Sequence, residues 1–180
     1  VKIDIIFSIY RSICCLFLFI YAFQSFLKDG KKGLIKPFEY TNFDTKDLME
    51  WFAIYLMIDL LIMTGIKCKR IDLWFHHFIS IIVVFIIYKH SNNNIPFLIN
   101  IILLAEAMSI MSGIDSQYTE NNDMIKSMFC KKIRKNIINF WRTPIWLLIS
   151  FLSIKNINKK DNKIFKIIGI IGPITMFSLD

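Results

Sequence analysis

The stretch IDLWFHHFISIIVVFIIY, residues 71–88, carries two adjacent histidines inside an otherwise apolar run. Wound as a helix at about 1.5 Å per residue, it is roughly 27 Å long, close to the ~30 Å hydrocarbon thickness of a bilayer. A titratable side chain at that depth costs free energy unless it faces a partner, a cavity or a reaction site. His76 and His77 are two of only 3 histidines in the chain, and imidazole both accepts and donates a proton near neutral pH. The stretch therefore reads as a membrane helix with an internal polar site.

The rest of the chain has the same character. Of its 180 residues 55% are hydrophobic, with a mean hydropathy of +0.50, more apolar than a soluble domain of this size. The apolar residues fall into six runs, at 3–27, 48–66, 71–88, 95–113, 137–154 and 164–179. Each approaches the ~20 residues that a spanning helix needs. The expected fold is all-α, a polytopic bundle of about six transmembrane helices, with residues 1–180 forming one integral membrane domain.

The net charge of +8 does not mark a nucleic-acid face, because the basic residues are spread over the connections between runs. Clusters at Lys67, Lys69 and Arg70, at Lys131, Lys132, Arg134 and Lys135, and at Lys159, Lys160 and Lys163 suit helix ends at anionic headgroups. Orientation stays open: 10 Lys and Arg lie on one side of the expected topology and 9 on the other, too even for the positive-inside rule. Cys14 and Cys15 lie within the first run and Cys68 and Cys130 flank others, which is neither a disulfide framework nor a zinc pattern. Asp4 and Arg11, with no small-residue cleavage site, argue against a signal peptide.

Between runs, Gly30, Gly33 and Pro37 are expected to break the first helix, with Asp47 capping the second. Lys67–Arg70 forces a tight hairpin, and Pro96 suits a first helical turn. A short surface helix is expected around 123–135, and Pro144 should kink or unwind the fifth run.

Counting from the membrane face that bears the Lys67–Arg70 turn, Arg11, Asp59, His76, His77, Glu106 and Arg142 all fall about 7–12 Å deep. Five helices would thus bring ionisable groups to one layer. The arginines taken singly can snorkel to the interface, whereas short carboxylates cannot. Left alone, Asp59 and Glu106 would be held protonated; paired, they would form a charged cluster.

Four strings resemble one membrane family. DLWFHHFIS at 72–80 resembles the double-His helix of the TLC domain, the fold shared by ceramide synthases and the TLC-domain-containing proteins. YLMIDLL at 55–61, LLAEAMS at 103–109 and FWRTP at 140–144 resemble the helices that precede and follow it, in the same order. The likeness covers about residues 7–177. The second His-Asp element of ceramide synthases has no counterpart in 101–113, which supplies only Glu106. The chain is thus more similar to the TLC-domain-containing branch, linked to membrane lipid composition.

The resemblance implies a multi-pass protein of the endoplasmic reticulum or another internal membrane, acting in lipid homeostasis or lipid binding. Membrane lipids are the implied partners, nucleic acid is not, and homo-oligomerisation stays open. The alternative is N-acyl transfer to a lipid amine. His76 or His77 would then serve as base or acyl acceptor, Asp59 or Glu106 would orient it, and acyl-CoA would be co-substrate, with no resident cofactor or metal. Arg142, Ser109, Tyr55 and Arg11 are the candidate substrate-binding residues. Adjacent helical residues point about 100° apart, so the two histidines cannot share one role.

Overall fold

Long apolar runs with few breakers wind into long helices, and a computed structural model of the chain describes them over residues 3–69, 71–91, 94–156, 163 and 166–172. In chain order these are α1 (Ile3–Ile35), α2 (Phe43–Gly65), α3 (Ile71–Ser91), the short α4 (Leu98–Leu103), a 3-10 turn (Leu104–Glu106), α5 (Ala107–Glu120), α6 (Met124–Ile137), a π-helical turn (Ile138–Arg142) and α7 (Thr143–Lys155). Residues 166–172 are helical as well, and most of the expected sixth run lies outside the described residues.

Four described helices are long and apolar enough to cross a membrane: Ile6–Ile35, Phe43–Gly65, Leu73–Ser91 and Met124–Lys155. Their outward faces are apolar too, with Phe75, Phe78, Ile82 and Phe85 of α3 all exposed. That is the surface of a membrane protein; a soluble helix would present charge there.

Three boundaries differ from the sequence reading. Gly30 and Gly33 do not end α1, which continues to Ile35. Gly33 lies against the ring of the fully buried Phe97, where any Cβ would overlap. The cost of a mid-helix glycine, about 1 kcal/mol, is offset by that close approach.

The cap of α2 is Asn42, not Asp47, which lies exposed in the second turn. Asn42 Oδ1 accepts from the Thr45 amide at 2.8 Å, while its Nδ2 donates to Ser25 Oγ at 3.3 Å and Asp29 Oδ2 at 3.1 Å. One side chain starts α2 and ties it to α1, so residues 43–47, ahead of the expected second run, join the helix.

The third difference is that the expected surface helix at 123–135 and the fifth run are one continuous rod from Met124 to Lys155. Pro144 lacks an N–H and its ring would meet the carbonyl of residue 140 in a regular α-helix. The chain widens into a π turn at that point, with the Thr143 amide bonded to the Ile138 carbonyl five residues back.

The fourth apolar run is interrupted rather than continuous. Of α4, Leu98, Ile99, Asn100, Ile101 and Leu103 are buried, so this short helix is core. Its first amides are satisfied by the α1–α2 connection, Phe97 N–H on the Tyr40 carbonyl (2.9 Å) and Leu98 N–H on the Pro37 carbonyl (3.0 Å). Asn100 Nδ2 donates to the Ala22 carbonyl at 3.0 Å, which the small Ala22 allows. Further along, Ser12 Oγ donates to the Ile110 carbonyl at 3.1 Å where Gly113 of α5 presses on α1. Small residues give membrane helices their closest approach, and α1 and α5 use them along their contact.

The α2–α3 hairpin is held at three levels. At its turn Lys67, with φ of 52°, occupies the left-handed position of a Schellman cap: its amide bonds to the Thr64 carbonyl and the Cys68 amide to Met63. Trp74 Nε1 then donates to the Cys68 carbonyl at 3.0 Å. At the far end the Tyr88 hydroxyl donates to Glu50 Oε1 at 2.6 Å. Between these levels lie Asp59 and His77.

Two thermal-shift measurements in detergent check these assignments. Asn42→Ala is expected to cost about 1–2 kcal/mol, with Asp47→Ala near neutral. Lys67→Gly is expected to stabilise by roughly 0.5–1 kcal/mol, because glycine takes a left-handed conformation without the Cβ clash, while Lys67→Val is expected to destabilise.

Candidate functional site

Residues four apart lie on one face of a helix, and three helices use that spacing to build a polar cluster. α1 contributes Arg11 and Cys15, α2 contributes Tyr55 and Asp59, and α3 contributes Leu73 and His77. Asp59 is 0% exposed and His77 1%. Asp59 Oδ2 lies 2.5 Å from His77 Nε2 and 3.6 Å from Arg11 Nε. Neither approach has hydrogen-bond geometry, so these are ion-pair contacts, and the buried Oδ1 has no hydrogen-bond partner. The Tyr55 hydroxyl accepts from the Cys15 thiol at 3.7 Å, and the Tyr55 ring lies 6.3 Å from that of His77. Arg11 also stands over the Phe7 ring, 5.6 Å from its centroid.

His77 Nδ1 lies 2.9 Å from the Leu73 carbonyl oxygen, which can only accept, so Nδ1 donates there and Nε2 is left facing the Asp59 carboxyl group.

Of the residues singled out from the sequence, Arg11, Tyr55, Asp59 and His77 meet at this site. His76 is half-buried, its ring 5.5 Å from that of His77 and inclined at 75°. Arg142 is buried in the π turn, which packs on the Leu104–Glu106 turn, with Trp141 Nε1 donating to the Leu104 carbonyl at 2.9 Å. Ser109 is half-buried in α5, and the Glu106 side chain lies outside the described residues. Among the described residues, no group of three His, Cys, Asp or Glu side chains is placed to hold a metal ion.

Sequence reasoning missed Cys15, although its i+4 spacing from Arg11 was a usable signal. It also missed a second polar knot at the α5–α6 hairpin. There Ser127 Oγ donates to the buried Asp115 Oδ1 at 2.7 Å, and Thr119 Oγ1 lies 3.0 Å from Ser127 Oγ.

Hollows adjoin these helices among the described residues. A cavity of about 70 Å³ between α2, α3, α4 and α7 is walled by apolar side chains, Ser80 and Trp146. A larger groove of about 410 Å³ runs between α1 and α2, walled by Tyr10, Ile13, Cys14, Phe17, Trp51 and Tyr55 among others. Tyr55 is common to this groove and to the ion cluster.

The chain matches no family model, no curated protein and no solved structure.

Removing one member of a buried ion cluster strands the others, whereas removing all of them relieves the desolvation cost. Asp59→Leu alone is therefore expected to lose about 3–5 kcal/mol. The triple variant Arg11→Met/Asp59→Leu/His77→Leu is expected to be more stable than that single variant, read as thermal midpoints in detergent.

Proposed function

We propose that this chain is a multi-pass protein of an internal membrane that acts in membrane lipid homeostasis, binding lipid at the intramembrane polar cluster around its double histidine. One observation carries the reading: three separate helices spend a carboxylate, a guanidinium and an imidazole on a single buried point at membrane depth. Polar groups so placed are costly, and function is the usual reason for keeping them. The same reading takes the bundle to six helices of the TLC type, with residues 164–179 as the last, and rests that step on the four resembling strings.

N-acyl transfer from acyl-CoA is the second reading, and the Asp59–His77 pair favours it, because an acid held against an imidazole is how a catalytic base is oriented. Both nitrogens of His77 are engaged, however, one by Asp59 and one by the Leu73 carbonyl. Base or acyl-acceptor duty would fall to His76. Binding is the better-supported role for the cluster as it stands.

The protein purified in mild detergent is expected to carry intact lipid detectable by native mass spectrometry. Cells expressing it are expected to show an altered phospholipid or sphingolipid profile that His77→Ala abolishes. A covalent acyl adduct on His76 would replace binding by catalysis as the function. Identical lipid profiles with and without the protein, together with a lipid-free preparation, would remove both readings.

A further inference from the structure

The basic residues of α6 do not end a helix. They sit inside the rod that runs from Met124 to Lys155, with apolar side chains exposed on both sides of them. Residues three and four apart share a helix face, so Met124, Met128, Lys131, Lys132 and Lys135 form one strip, widened by Ile125. All six are exposed, while Ser127 and Cys130 of the opposite face are buried. Past the lysines the rod is apolar again, with Phe140 and Leu147 exposed.

The charge of this strip is not balanced from within. α6 contains no Asp or Glu. Asp123, just ahead of it, pairs with Lys126 at 2.9 Å, and the buried Asp115 accepts from Ser127. Among the described residues, the ion pairs leave out Lys131, Lys132 and Lys135.

Two contacts fix the level of the lysines. Asp115 of α5 meets Ser127 of α6, and further back along α5 the Ile110 carbonyl meets Ser12 of α1. In the antiparallel α5–α6 hairpin, a step back from Asp115 to Ile110 matches a step forward from Ser127 to Lys132. Lys132 is therefore level with Ser12 and its neighbour Arg11. Phe19 against Trp141, at 5.9 Å, gives the same register to within about two residues. Outward-facing ammonium groups thus lie at the depth of the buried cluster, where hydrocarbon would leave them without a counter-charge.

An acidic protein would match the lysines but leave Met124, Ile125 and Met128 uncovered. A second copy across a two-fold axis would cover those apolar turns and set one lysine row against the other. A bilayer with an anionic component satisfies both parts. We infer that the outer face of α6 holds an anionic phospholipid, its headgroup drawn down to Lys131, Lys132 and Lys135. Its chains run toward Phe140 and Leu147, and lipids at ordinary height cover the apolar first turns. The site lies on the outside of the bundle, apart from the buried cluster.

The test is reconstitution in nanodiscs of equal phosphatidylglycerol and phosphatidylcholine with identical chains, followed by native mass spectrometry of the released protein. Phosphatidylglycerol is expected to be retained about tenfold over phosphatidylcholine. Lys131→Gln/Lys132→Gln/Lys135→Gln is expected to bring the two near parity at an unchanged thermal midpoint, and Lys131→Arg/Lys132→Arg/Lys135→Arg to keep the preference. Lys31→Gln/Lys32→Gln/Lys36→Gln, an equal loss of charge at the far end of α1, is expected to keep it too. Equal retention of the two lipids by the wild type would overturn the site, as would an equal fall in both glutamine triples. A dimer that Met128→Asn dissociates, with lipid preference indifferent to the lysines, would give the face to a second copy instead. Each of these results leaves lipid binding at the buried cluster standing.

Discussion

The carboxylate of Asp59 is the group on which the arrangement of the first three helices depends. An unpaired carboxylate in a low-dielectric interior is costly enough that it is either neutralised or paired. Asp59 is paired, and its partners come from α1 and α3. Apolar packing alone discriminates poorly between helix registers in a membrane, because lipid tails are as apolar as leucine. Rotating α2 by one residue would swing Asp59 by about 100° and break both contacts. Glu50–Tyr88 repeats the device at the other end of the hairpin. Hydrocarbon packing fills the bundle, and a few polar contacts choose its register.

Irregular backbone in the bundle follows the same rule. A distorted helix exposes polar groups that only protein can satisfy at membrane depth. The Leu104–Glu106 3-10 turn and the Ile138–Arg142 π turn pack against each other, and the Trp141 indole bonds the Leu104 carbonyl. Each distortion sits where the other covers it. Pro144 gives the π turn a local cause, while the 3-10 turn has none in the sequence.

That contrast marks what the sequence made legible. Helical class, the α2–α3 hairpin and the depth at which Arg11, Asp59 and His77 meet all follow from run lengths and counting, since rise per residue is fixed. Helix ends were less legible. Gly33 reads as a breaker until Phe97, 64 positions away, is seen to need the space of its missing side chain. Asp47 reads as a cap until Asn42 is seen bonded to Ser25 and Asp29 of another helix. Both readings failed because the deciding partner is distant in sequence. The interruption after α4 was missed for a related reason, as residues 103–107 carry no proline or glycine to mark a bend.

The choice between the two histidines shows the same limit. On α3 the buried positions among the described side chains are Leu73, His77, Ser80, Ile87 and Ser91, a helical stripe. The opposite face is Phe75, Phe78, Ile82 and Phe85, which is as hydrophobic as the core. In a soluble helix the polar face would reveal which side is inside; here both sides are apolar, so periodicity carries no contrast. Only the i,i+4 relation to Leu73 and the meeting with Asp59 assign His77 to the interior and leave His76 beside it, half-buried. Geometry thus separates the pair: both nitrogens of His77 face neighbours inside the cluster, Asp59 and the Leu73 carbonyl.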